Sequence, residues 1–244
     1  MTKSQKYEDY PPLRAMEVEH SFVDKDELTG LFRFQPFQRE CARLKLFKQP
    51  TGFVLVLFID ADNLKLINDS LGHCVGDDLI SEIATSISTC LPKNAIACRK
   101  GGDEFLAVAT CDDRIQAVKI SQSVSKSLSG LRNISGHEIM LSCSIGASIE
   151  PGEISSLDRQ SKNADIAMYC AKRDGKDQLR IYDEESCADF VMMHELSFQF
   201  PEALAKGELS VAYQPIYGIE TRRIEGVEAL VRWNHSQYGA ISAG

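Results

Sequence analysis

The sequence predicts an α/β domain whose central sheet is covered by helices, and three observations lead there. FVLVLFI (Phe53–Ile59) is apolar on both faces, as a strand in the middle of a covered sheet must be. AIACR and EFLAVAT flank Gly101-Gly102, and paired glycines tolerate the positive φ that a tight hairpin turn demands. Segments with helical spacing of apolar residues alternate with these strands, which is the pattern of helices laid over a sheet.

The elements follow in order. Residues 1–20 are polar, contain Pro11-Pro12 and read as a linker. Phe37, Cys41, Leu44 and Phe47 recur at helical spacing and predict a helix over Phe34–Phe47. The strand opened by Gly52 ends abruptly at Asp60-Ala61-Asp62-Asn63. A helix over Asp77–Leu91 is stopped by Pro92, and the hairpin comes next. Helical periodicity returns over Ile115–Leu128, His137–Glu150 reads as a strand, Ser155–Arg173 as a helix and LRIYD (Leu179–Asp183) as a last strand. Beyond it a connector helix, Glu184–Gly207, leads to two further strands, LSVAYQPIYG and IEGVEALVRW. The expected division is therefore a linker over 1–20, a domain over 21–184, and a connector helix with an incomplete second domain over 185–244.

Composition narrows the function classes. With 27 Lys and Arg against 35 Asp and Glu, the 244-residue chain carries a formal charge of −8, so no global basic field favours nucleic acid. FVLVLFI is far too short to span a bilayer, and the N-terminus lacks the apolar core of a signal peptide. The eight cysteines form no C-x-x-C pair and have no histidine at zinc spacing, which fits buried or half-buried thiols in a reducing cytosol.

The chemistry sits in the acids. Period-2 alternation puts Asp60 and Asp62 on one side, just past the C-terminal end of a buried strand, where α/β sheets bind ligands. If the hairpin strand is its neighbour, Asp103 and Glu104 arrive beside Asp60. Three or four carboxylates gathered there repel one another unless a divalent cation neutralises them, and hard oxygen donors suit Mg²⁺ with nucleotide phosphates. Each signal has a plainer twin when taken singly. Asp103-Glu104 can be a solvated turn, Asp60 and Asp62 the start of a loop, Lys65 and Lys172 surface charges, Asn68 a turn residue and Asp77 an N-cap.

Taken together the strings are specific. DELTGLF (Asp26–Phe32), FIDADNLKLINDSLGHCVGDDLI (Phe58–Ile80), RKGGDEF (Arg99–Phe105), SCSIGAS (Ser142–Ser148) and ADIAMYCAKRDGKD (Ala164–Asp177) occur in order. Over about Val23–Asp183 the sequence resembles the GGDEF family of diguanylate cyclases. The resemblance implies a nucleotidyl-cyclase-like fold, α/β (α+β), with a central, mainly antiparallel five-stranded sheet flanked by helices. It implies condensation of two GTP to cyclic di-GMP with release of pyrophosphate, in the bacterial cytoplasm. Mg²⁺ (or Mn²⁺) would be held by Asp60, the Ala61 carbonyl, Asp103 and Glu104. Asp103 would also help activate the attacking 3′-hydroxyl, so Asp103, Glu104 and Lys65 form the catalytic set. Asn68 and Asp77 would read guanine, Lys65, Lys172 and Lys176 would contact phosphates, and Gly101 and Gly102 would let backbone approach the nucleotide. A homodimer is implied, because each 3′-hydroxyl must reach the other GTP's α-phosphate.

Three departures modify that expectation. Arg33-Phe34 stands where the family usually has Asn-Arg. Lys176 stands where a phosphate-binding arginine is expected, which keeps charge but loses the bidentate fork. Pro92-Lys93-Asn94-Ala95 occupies the window of the family's product-inhibition R-x-x-D, so feedback through that site is not expected. The C-terminal AYQPIYG and VEALVRWNH resemble the beginning of an EAL phosphodiesterase domain, a TIM-like barrel needing ~250 residues. Glu228 matches one metal ligand of that family, but the others lie beyond Gly244, so phosphodiesterase activity is not expected and the apolar faces of the fragment should stand uncovered. Two further readings compete with the cyclase: a GTP-binding module that regulates an attached phosphodiesterase, and a dimerisation module without ligand.

Overall fold

Even- and odd-numbered side chains of β2 (Phe53–Ala61) point into two different cores, and this divides the first unit into layers. The computed structural model describes residues 24–241; the linker expected over residues 1–20 lies outside them. Leu55, Leu57, Ile59 and Ala61 pack with α3 (His73–Cys90) and α4 (Arg114–Ser127), while Val54, Val56 and Phe58 pack with α1 (Phe34–Arg43) and α5 (Leu157–Arg173). A strand apolar on both faces has no stable place except between two helical layers.

The central sheet has six strands, not five. Its order is β1 (Phe32–Arg33), β3 (Ile96–Gly101), β4 (Glu104–Cys111), β2, β7 (Cys143–Pro151) and β8 (Leu179–Ile181). The additional strand is β1, two residues that pair in parallel with β3 through Phe32 to Cys98 and Arg33 to Arg99. The three inner pairings are antiparallel, and β7–β8 is parallel. The sheet is therefore mainly antiparallel, as expected.

Other boundaries shift for local reasons. Loops enter α4 and α5 through Asp113 and Ser156, whose side chains accept the amides of Gln116 and Arg159. The helix expected from Asp77 starts at His73, and an additional short helix, α2 (Leu64–Leu71), precedes it. Asp77 thus lies inside α3 and is not its N-cap. The run His137–Glu150 is two strands: β6 (His137–Leu141) pairs with β5 (Gly130–Ile134) in a separate ribbon, and β7 joins the main sheet. Of the eight cysteines six are buried and Cys90 is half-buried, but Cys74 is exposed.

The chain divides into two compact units between Asp183 and Glu184. The second contains α6 (Glu184–Lys206) and an antiparallel sheet ordered β11 (Gly239–Ile241), β10 (Ile224–His235), β9 (Leu209–Tyr217). Val211, Tyr213, Tyr217, Val227 and Val231 stay exposed on it, the uncovered apolar surface expected of a barrel's opening strands. Among the described residues no helix is long and apolar enough to cross a membrane.

In the first unit α5 lies close against the backbone of β7. A Cβ on Gly146 would stand 1.9 Å from the Ala164 carbonyl oxygen and 2.3 Å from the Met168 nitrogen, both backbone atoms that cannot rotate away. Gly146→Ala should therefore lower stability by roughly 1–3 kcal/mol or more through overpacking. A urea unfolding midpoint equal to that of the unaltered chain would contradict this packing.

Candidate nucleotide site

The end of β2 and the tip of the β3–β4 hairpin are joined through their backbones. Asp60 stands opposite Glu104 in the antiparallel register, and the Ala61 N–H donates to the Asp103 carbonyl at 3.2 Å. At the tip Gly102 takes a left-handed φ of 52°, while Gly101 does not need one. A Cβ at either glycine would meet nothing within 4 Å, so the space in front of the tip is open to a ligand. The tip is also braced from behind. Arg99 donates from Nε and Nη2 to the Gly102 carbonyl at 2.9 and 2.7 Å, and its Nη1 lies 3.3 Å from Asp26 Oδ1. That brace escapes sequence reasoning, because Asp26 and Arg99 are 73 residues apart.

The acids face lysines. Lys172 Nζ, from α5, lies 2.7 Å from Asp60 Oδ1, and Lys100 Nζ lies 3.3 Å from Glu104 Oε2 and 4.5 Å from the centre of the Phe58 ring. Burial pushes the Asp60 carboxyl up to about 6; Lys172 opposes the rise, and Asp103 and Glu104 add to it. One lysine thus leaves the buried acid under-neutralised. Among the described residues no three His, Cys, Asp or Glu side chains are gathered as around a metal ion. The expected ligands converge by backbone, with Asp60 and Glu104 turned to their lysines. Hard oxygen donors with a deficit of positive charge fit a Mg²⁺-class cation.

The expected guanine readers lie on neighbouring helices. Asn68 is on α2, and its Oδ1 is buried without a hydrogen-bond partner. It fits there because Gly76 of α3 has no side chain; a Cβ would stand 1.9 Å from that oxygen. An orphaned acceptor costs about 1–3 kcal/mol until a donor reaches it. Asp77 is exposed on α3, and Lys65 is exposed in the first turn of α2.

The expected phosphate side is the end of α5. Gly175 (φ 118°) lets the Lys176 amide fold back to the Ala171 carbonyl, a helix stop that places Lys172 before the turn and Lys176 after it. Lys176 Nζ donates to Asn63 Oδ1 at 2.8 Å. Away from these residues, Pro92–Ala95 forms a turn closed by the Ala95 amide on the Pro92 carbonyl, with the Asn94 side chain tied to Thr110. Glu228 is exposed on β10 of the second unit, opposite Gln214.

The raised Asp60 carboxyl sets a pH signature. Its folded value of about 6 exceeds the ordinary 3.8, so the ionised form is disfavoured in the fold, and this group's contribution to stability falls as pH rises from about 4 to 6. Without divalent cation, Asp60→Asn should be more stable than the unaltered chain above pH 6, by an order of ~3 kcal/mol at most. The difference should vanish below pH 4. Urea midpoints between pH 4 and 8 measure it, and a variant that is less stable at pH 8 would contradict the assignment.

Comparison with known proteins supplies the family. The model described as diguanylate cyclase, GGDEF domain, matches residues 23–178, and the EAL domain model matches residues 199–244. MucR, a bifunctional diguanylate cyclase/cyclic di-GMP phosphodiesterase of Pseudomonas aeruginosa, is 34% identical over 189 residues, covering 78% of this chain and 28% of its own length. PdeR, a cyclic di-GMP phosphodiesterase of Escherichia coli, is 31% identical over 234 residues, 93% of this chain and 34% of its own. The chain spans between 28% and 34% of the length of these curated relatives. Among solved structures, the isolated GGDEF domain of TpbB (YfiN) from Pseudomonas aeruginosa superposes with a TM-score of 0.63 at 29% identity, covering 69% of this chain and 99% of that one. With more than half of its residues matched by the first model, the chain belongs to the GGDEF family of diguanylate cyclases and carries the first segment of an EAL domain behind it.

Proposed function

We propose that the first unit condenses two GTP molecules into cyclic di-GMP, releasing two pyrophosphates, and that it does so as a homodimer in the cytoplasm. The observation that carries this reading is the union of the β2 end with the hairpin tip, through the Asp60–Glu104 register and the Ala61–Asp103 hydrogen bond. Asp60, Asp103, Glu104 and the Ala61 carbonyl would hold Mg²⁺ or Mn²⁺, which when bound neutralises phosphate charge and makes a coordinated hydroxyl more acidic.

The remaining work belongs to the chain. Asp77 accepts from the N1–H and N2–H of guanine, and the Asn68 amide complements the remaining edge, using an oxygen that is orphaned without ligand. The open tip at Gly101-Gly102 admits the triphosphate, and Lys65, Lys172 and Lys176 face its charge. Asp103 would draw the proton from the attacking 3′-hydroxyl. One unit holds one GTP and cannot close the ring alone, so two units must face each other, and catalysis is positioning with charge stabilisation.

A second reading rests on one observation: PdeR, aligned over 93% of this chain, is named a phosphodiesterase. In it the first unit binds GTP and regulates an EAL domain. Incubation of the purified chain with GTP and Mg²⁺ separates the two. The cyclase reading expects cyclic di-GMP, with at least a hundredfold loss in Asp103→Ala; tight GTP binding without product selects the regulator.

Product feedback gives an independent test. Pro92 and Ala95 lack the charges that an R-x-x-D supplies, so calorimetry should find no tight cyclic di-GMP binding at that turn, and Pro92→Arg/Ala95→Asp should create it. Tight binding to the unaltered turn would overturn this expectation.

A further inference from the structure

The geometry points to Asp62 as a positioning residue that locks the phosphate-facing lysine loop to the metal-facing end of β2, an inference that rests on the cyclase reading of the same site. Asp62 follows β2 on the same face as Asp60 and is 6% exposed. Its carboxylate accepts from Ser142 Oγ (2.6 Å, to Oδ2), Ser144 Oγ (2.8 Å, to Oδ1) and the Asp177 amide (3.1 Å, to Oδ2). Its own amide donates to the Ser142 carbonyl at 2.9 Å. All of these are neutral groups.

A buried carboxylate satisfied by neutral donors is an expensive way to fill a core position. What it gains is strength, because hydrogen bonds to an ionised acceptor are roughly twice as strong as neutral ones. Asp62 directs them to three segments at once: the exit of β2, the start of β7, and the loop from α5 to β8. That loop carries Lys176 and begins at the helix turn that presents Lys172 to Asp60. The neighbouring residue repeats the connection, since Asn63 Oδ1 receives Lys176 Nζ. Asn63, Lys176 and Asp177 all hold left-handed φ (62°, 66° and 44°), a conformation that non-glycine residues keep only where their surroundings enforce it. Asp62 is the shared anchor of those surroundings. It fixes the spacing between the acids that face a cation and the lysines that face the triphosphate, without touching either ligand.

Asp62→Ala isolates the effect. An asparagine would keep an oxygen at the Oδ2 position for the Ser142 hydroxyl and the Asp177 N–H, with its NH₂ donating to Ser144 Oγ, whereas alanine leaves the Asp177 N–H without this acceptor. Hydrogen exchange of the amides of Lys176–Gln178 should quicken at least tenfold. KM for GTP should rise roughly tenfold while kcat falls less than threefold, whereas a merely structural lesion lowers the active fraction at constant KM. Gly175→Ala, which strains the same loop with Asp62 intact, should reproduce the KM rise. Unchanged exchange, or an unchanged KM in both variants, overturns the proposal. If the unaltered chain makes no product, the cyclase reading fails alone, and the dissociation constant for GTP with Mg²⁺ replaces KM; a chain that binds no GTP overturns the proposal as well.

Discussion

The antiparallel register of β2 against β4 is the constraint on which the rest depends. Eight consecutive pairs, from Phe53–Cys111 to Asp60–Glu104, fix it. A slip of one residue would move every β2 side chain to the other face. Leu55, Leu57 and Ile59 would leave the α3–α4 core, Val54, Val56 and Phe58 the α1–α5 core, and Asp60 would turn away from Lys172. Packing on two faces therefore enforces the position of a residue at the strand's end that contributes nothing to packing. The core aims the acid.

Electrostatics at that end opposes folding and favours ligand. Asp60 is buried beside two other acids, with one lysine against it, and its carboxyl is held near 6. Asn68 keeps a buried oxygen without a donor. Both features cost stability in the unliganded chain, and under the proposed function both would be relieved by the groups that a metal-bound guanine nucleotide brings. The lysines hold the carboxylates in place meanwhile; Lys172 and Lys100 are about one-third exposed, and in the proposed function a triphosphate would be their alternative partner.

Much of this was legible in the chain. The two-faced apolar run revealed the central strand, and the glycine pair between apolar strands revealed the hairpin, because both signals are local. Elements that lack enough residues to show a period were not legible. β1 has two residues, and α2 has eight with Leu66 exposed, shorter than the window in which helical periodicity emerges. His137–Glu150 reads as one strand because no proline or turn-forming pair interrupts it, yet it divides at Ser142, whose side chain is committed to Asp62. Within the site the acids were legible from alternation and the turn. The roles of Arg99 and Asp62 were not, because their partners lie 73, 80, 82 and 115 residues away.

The most direct measurement is a crystal structure of the chain with Mn²⁺ and a non-hydrolysable GTP analogue, read by anomalous scattering. The account predicts one strong peak between the Asp60 carboxylate and the Asp103-Glu104 tip, with Lys172 withdrawn from Asp60 toward phosphate. A peak elsewhere, or nucleotide bound with the Asp60–Lys172 pair intact and no metal between strand and hairpin, would contradict it.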